Sequence, residues 1–182
     1  DFTVDQRIRA KAVNFGIPYG RTCFSLAEEY DMTDDEAQAL INKWFARAPK
    51  AHKFIDWCRA AVVENRVLIT PFGRKRRFGL VSKELVREYQ RQASNFPMSS
   101  IASDLTLHAA IRIRREIIKR KLDIWIVNLI HDSILMEVRD SAEMLEIAEE
   151  MIQRVMSEQA PKLLGTDLPF PVGVSQSYMW EK

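Results

Sequence analysis

Apolar residues recur at three- and four-residue intervals through the first third of the chain, the repeat of an amphipathic helix. Thr3-Val4-Asp5-Gln6 is a capping box, in which a hydroxyl and an amide side chain satisfy orphan amides at a helix start. The helix it opens is predicted to end near Ile17, because Pro18 has no amide hydrogen and its ring collides with the carbonyl of Asn14. Thr22 to Tyr30 predicts a short helix with Phe24 and Leu26 as its apolar contacts. A second capping box, Thr33 to Glu36, launches a helix over 34–46 with Ala37, Leu40, Ile41, Trp44 and Phe45 on one side. Pro49 opens another, to about Asn65, with Phe54, Ile55, Cys58, Ala61 and Val62 facing inward.

At Val67 the pattern changes. Val67 to Thr70 and Arg76 to Gly79 flank Pro71-Phe72-Gly73-Arg74, which reads as a hairpin. Lys83 to Lys121 predicts a long helical stretch broken at Pro97. In Asp123 to Val138 two β-rich apolar runs surround His131-Asp132-Ser133, a join short enough only for a tight turn. Ser141 caps a helix to about Gln159, with Met144, Leu145, Ile147, Ala148, Met151, Ile152 and Val155 as its apolar stripe.

Composition is that of an ordinary globular chain, 47% hydrophobic and 29% charged over 182 residues, enough to bury a core in one domain or two small ones. A net charge of +2 does not by itself imply a polyanionic partner. Local clusters say more: Arg74-Lys75-Arg76-Arg77, and Arg112, Arg114, Arg115, Lys119, Arg120 and Lys121, against an acid-rich stretch from Asp140 to Glu158 that an anion should avoid. Each basic cluster also reads as a solvated face. Cys23 and Cys58 share no metal-site spacing and read as reduced thiols, which predicts a cytoplasmic setting. No apolar run approaches the roughly 20 residues of a membrane span, so no membrane partner is expected. The absence of an initiator Met predicts a piece of a longer chain.

Candidate chemistry gathers in two places. Arg7, Lys11, Phe15 and Tyr19 follow at four-residue steps, each turning roughly 400° and climbing about 6 Å. One stripe thus presents two cations, suited to a triphosphate, and two rings, suited to a base and sugar. A surface helix whose aromatics dock on the core has the same spacing. At the second place the turn puts Asp132 at the tip of a buried hairpin, where a carboxylate is costly unless paired or metal-bound. An Asp that merely starts the turn fits as well.

Arg7 to Gly20, RIRAKAVNFGIPYG, resembles motif B of the family A DNA polymerases, R-x3-K-x3-F/Y-G-x2-Y-G, with every named position filled. His131-Asp132-Ser133 is similar to the family's motif C, His-Asp-Glu, with Ser133 in place of Glu. Single-subunit RNA polymerases, which share the palm, carry His-Asp-Ser there. Arg91-Gln92-Ala93-Ser94-Asn95-Phe96-Pro97-Met98-Ser99 resembles R-x3-N-x-P-x-Q, with Ser99 replacing Gln. Thr70, Gly73 and Arg74 fit the family's Thr-x-x-Gly-Arg-Arg passage near the primer–template groove. Pro169 to Val174 and Trp180-Glu181 are similar to the last palm strand and the Trp-Asp ending. The resemblance spans essentially the whole chain in order.

This likeness implies an α+β fold: a fingers-like helical region over 1–66 with motif B, and a palm-like region over 67–182 whose short antiparallel sheet carries the His-Asp-Ser hairpin. It implies that Arg7 and Lys11 bind the phosphates of an incoming dNTP, Phe15 its base and sugar, and that Tyr19 lies near the template base. Arg74, Arg91, Asn95 and His131 would contact primer–template DNA. Arg91 and Asn95 offer the donors that suit minor-groove acceptors, which occur at every base pair. Asp132 would bind catalytic Mg2+, and Lys11 would protonate the leaving pyrophosphate. The motif A aspartate, the thumb and any exonuclease domain would lie upstream, so a partner segment and no activity of the chain alone are expected, in a bacterial or phage-infected cell. A non-catalytic DNA-binding module remains the alternative, and an RNA polymerase relative a third.

Overall fold

A computed structural model describes residues 3–179, apart from the side chains of Asp5 and Arg9. The expected Trp180-Glu181 ending lies outside the described residues. Among the described residues six helices and four strands follow in order: α1 (Val4–Gly16), α2 (Cys23–Tyr30), α3 (Asp34–Arg47), α4 (Pro49–Glu64), β1 (Val67–Ile69), β2 (Lys75–Arg77), α5 (Val86–Arg120), β3 (Ile124–Ile130), β4 (Ser133–Val138) and α6 (Ala142–Leu164). The fold is α+β, mostly helical, with two antiparallel two-stranded sheets, β1–β2 and β3–β4.

Local chemistry sets the element ends. Both capping boxes form, Thr3 with Gln6 and Thr33 with Glu36. At Glu36 the backbone amide of Thr33, then its hydroxyl, hold the carboxyl below its ordinary pKa. Helix α1 stops at Gly16 with Ile17 as its cap, one residue before Pro18. Thr22 and Ser141 cap α2 and α6 through their side chains.

The chain divides into two compact units, Asp1–Ser100 and Ile101–Lys182, with the boundary inside α5. The first unit has two cores. Ile17, Leu26, Ala27 and Ala37 form one, with Val13, Ile41, Trp44 and Phe45 packed against it. Cys58, Ala61, Val62, Leu68, Phe78 and Ala93 form the other, which seats the β1–β2 hairpin on α4. In the second unit Ala109, Ile113, Ile117, Ile124, Ala148, Met151 and Val155 join α5, β3 and α6. Burying each large aliphatic side chain stabilises by about 1.5–3 kcal/mol, which offsets the marginal stability of a lone hairpin.

Four expectations fail. Phe24 is not a core contact of α2; it is 67% exposed, while Leu26 is fully buried beside Ala27. Pro97 does not break the helix: α5 continues through it to Arg120. Proline forfeits one hydrogen bond at a cost of about 3 kcal/mol. Here Pro97 is itself buried, and the continued helix carries Ile113 and Ile117 into the core of the second unit. Residues 166–177 form no strand, so Pro169 to Val174 is not a final palm strand within the described residues. Pro169 and Pro171 have no amide hydrogen, which removes two ladder donors from one edge of any strand formed there. Finally, the β3–β4 hairpin is not buried at its tip: His131, Asp132 and Ser133 are all exposed.

Candidate nucleotide and DNA site

On α1 the four-residue stripe faces outward. Arg7 and Lys11 are exposed, Phe15 is 55% exposed, and Tyr19, in the turn after the helix, is 38% exposed. The Lys11 ammonium lies 6.0 Å from the centroid of the Phe15 ring, within cation–π range. The aromatics therefore do not dock on the core. Ile17, 1% exposed, and Val13 do that from the other side of the helix.

Two contacts brace this helix. The Trp44 indole N–H of α3 donates to Asn14 Oδ1 at 3.0 Å. After Gly16 the chain closes a compact turn, with Gly20 N–H donating to the Ile17 carbonyl and Arg21 N–H to that of Gly16, both at 3.0 Å. Gly20 has φ +85°, a conformation that L side chains rarely adopt. A Cβ there would stand 3.5 Å from Cγ of Arg91. The end of the α1 stripe thus abuts α5.

On α5, Arg91, Asn95 and Ser99 follow at four-residue steps. The Ser99 hydroxyl donates to Asn95 Oδ1 at 2.9 Å, so it turns back along the helix instead of reaching outward. Arg91 is exposed and pairs with Glu88. The Gln92 amide, ahead of the Arg91 guanidinium, holds the Glu88 carboxyl below its ordinary pKa. Gln92 also accepts from Arg76, tying α5 to the β1–β2 hairpin. At that hairpin's turn Thr70 is buried, and its hydroxyl accepts from Arg74 N–H at 3.2 Å. Gly73 takes φ +81° and the Arg74 side chain is exposed.

In the second unit Ile130 pairs with Ser133, leaving His131 and Asp132 as a two-residue loop. His131 adopts φ +56°, the left-handed value that such a turn demands. Among the described residues Asp132 makes no hydrogen bond or ion pair, which leaves both carboxylate oxygens open to solvent. The described residues contain no group of three His, Cys, Asp or Glu side chains able to hold a metal ion. Asp132 thus presents one solvent-facing carboxylate, with no three-ligand group around it among the described residues.

Arg7, Lys11, Phe15, Tyr19, Arg74, Arg91 and Asn95 belong to the first unit, and His131 and Asp132 to the second. Sequence reasoning missed Trp44, Gln92 and Gly20 as residues that brace the site. The first two act across 30 and 16 residues of chain, a separation that periodicity does not report. Gly20's φ was open to inference from its place behind a proline-containing turn.

The chain belongs to DNA polymerase family A, whose family model matches residues 1–182. It is 30% identical over 185 residues to DNA polymerase I of Pseudomonas aeruginosa, covering all of this chain and 20% of that protein. With DNA polymerase I of Caldicellulosiruptor bescii it shares 32% identity over 183 residues, 99% of this chain and 21% of that one. The DNA polymerase of Bacillus phage SP01 is 30% identical over 155 residues, 81% of this chain and 17% of the phage protein. The chain thus spans about a fifth of the length of the first two relatives. Its fold matches the polymerase domain of Pol1 from M. smegmatis, solved with DNA primer-template and dNTP, at TM-score 0.81 and 23% identity, over 92% of this chain and 29% of that one.

Proposed function

We propose that residues 1–66 and 67–182 are the fingers and the C-terminal palm of a DNA-directed DNA polymerase, acting in the cytoplasm in replication or repair. They would work together with an upstream segment that carries the thumb and the second catalytic carboxylate. The observation that carries this reading is the outward stripe of α1, where Lys11 stands over a Phe15 ring that is 55% exposed.

In this reading Arg7 and Lys11 neutralise the triphosphate of a dNTP, and Lys11 gives a proton to the departing pyrophosphate. Phe15 shapes the pocket for base and sugar, with Tyr19 beside the template base. Arg91 and Asn95 read minor-groove acceptors common to all base pairs, and Arg74 and His131 hold the primer–template. When bound, magnesium ions stabilise the attacking 3′-oxygen and the leaving group, and Asp132 offers one carboxylate to them.

Two substitutions in the polymerase that contains this chain test the assignment. Asp132→Asn collapses the rate of primer extension and leaves primer–template affinity near its starting value. Lys11→Ala lowers both nucleotide affinity and rate for all four dNTPs alike, since phosphate contacts carry no base information. Near-normal extension by Asp132→Asn removes the hairpin tip from the chemistry and favours a non-catalytic DNA-binding module.

A further inference from the structure

The second basic cluster of the sequence, at the end of α5, has no part in the site described above. In the structure Arg112, Arg115, Glu116, Lys119 and Arg120 line a single cleft of about 380 Å³ in the second unit. Their spacing of three, four, seven and eight residues places all five on one helix face, two turns long. The lone acid among them is already occupied. Arg154 of α6 donates to both Glu116 oxygens at 2.7 Å, and Arg120 donates to Oε1 at 3.1 Å. That hydrogen bond from Arg154, and then the one from Arg120, keep the Glu116 carboxyl below its ordinary pKa.

Among the described residues Arg112, Arg115 and Lys119 have no acidic partner. Three like charges at three-, four- and seven-residue intervals repel one another and weaken the helix that carries them. Satisfying Glu116 from α6 and Arg120 leaves the other three cations facing the cleft uncompensated. No aromatic side chain lines it to stack a base.

We propose that this cleft binds the phosphate backbone of nucleic acid, through residues other than the nucleotide and groove residues of the candidate site. Guanidinium groups recognise phosphate oxygens in a fork geometry, and the ammonium of Lys119 adds a point charge. Without stacking rings or base-edge readers, recognition is independent of sequence and depends steeply on salt. The cleft gives the polymerase a second grip on template or product strand while the candidate site is engaged.

The test uses the polymerase containing this chain, with its candidate site first filled by a short hairpin primer–template. Binding of a second, random-sequence DNA is then measured over a series of salt concentrations, with single- and double-stranded probes. The variant Arg112→Gln/Arg115→Gln/Lys119→Gln weakens that binding at least tenfold at low salt. It also lowers the slope of log affinity against log salt by about 2–3, since each phosphate contact contributes roughly 0.9 for duplex and 0.7 for a single strand. Extension of the short hairpin stays at the starting rate, and Arg114→Gln, a cation outside the cleft, leaves the slope in place. An unchanged slope in the triple variant overturns the proposal. So does displacement of the second DNA by poly-glutamate at lower concentration than by duplex of equal charge, which assigns the cleft to an acidic protein. Loss of hairpin extension in Asp132→Asn bears only on the candidate site, so the two readings fail separately.

Discussion

The indole N–H of Trp44 donates to Asn14 at 3.0 Å, and through that bond α3 holds α1 one residue from Phe15. The bond is partly exposed, so its net contribution is about 0.5–1.5 kcal/mol. Trp44→Phe keeps the ring and removes the donor. It should raise the KM for every dNTP by roughly two- to tenfold in the assembled polymerase, with primer–template affinity unchanged. Nucleotide titration in single-turnover extension measures this, and an unaltered KM would show that the bond does not aim the helix.

In the proposed reading Phe15 lies beside the sugar of the dNTP, and its lack of a polar atom should then govern the choice of sugar. A deoxynucleotide carries a 3′-hydroxyl able to hydrogen-bond its own phosphate, whereas a dideoxynucleotide leaves that acceptor unsatisfied. The penalty is about 1–3 kcal/mol, or roughly ten- to a hundredfold in selectivity. Phe15→Tyr restores a hydroxyl near the missing position, so terminators should be accepted far more readily while normal synthesis holds. An incorporation ratio equal to wild type would mean that Phe15 does not face the sugar.

Cys58 has no exposed surface, and burial pushes its thiol up to about 11, with nearby Arg59 pulling the other way. An unfolded cysteine ionises near pH 8.5. A raised native pKa means that the folded chain holds the proton longer, so folding stability is intact below the unfolded pKa. It declines as pH climbs from there toward 11, by about 2 kcal/mol or more. Cys58→Ala should flatten the alkaline limb of a denaturation-against-pH curve. An alkaline limb of the same steepness would trace the loss to another group.

The 182-residue chain by itself should not extend a primer, because the proposed metal ligand Asp132 has no three-ligand cluster around it among the described residues. Mixing it with a polypeptide that carries the thumb and motif A should restore synthesis. Extension by the purified chain alone would disprove the division of labour proposed above.

Legibility in the sequence tracked distance along the chain. The capping boxes of Thr3 and Thr33, the end of α1 before Pro18 and the two-residue loop at His131-Asp132 are each settled by residues a turn apart. The outward stripe of α1 was readable as a pattern, but which side docked was not. That depended on Ile17 and Val13 finding Leu26, Ala27 and Ala37. Pro97 misled for the same reason. Its local cost is real, and the core of the second unit, which Ile113 and Ile117 reach on a continued α5, offsets it. The link from Glu116 to Arg154 spans 38 residues and left no periodic trace.

The β3–β4 hairpin has a bearing on the order of assembly. Its widest pair, Ile124 with Val138, is separated by 14 positions, and its sheet contacts are all nested inside that interval. Hairpins of this kind close in about 1–10 μs. Ile124 then docks with Ala148, Met151 and Val155, all within the same unit. The sheet pairs and core contacts that seat this hairpin lie within residues 101–182. A polymerase assembled from separate pieces would meet this carboxylate already in place, and its slow step would be the joining of the pieces.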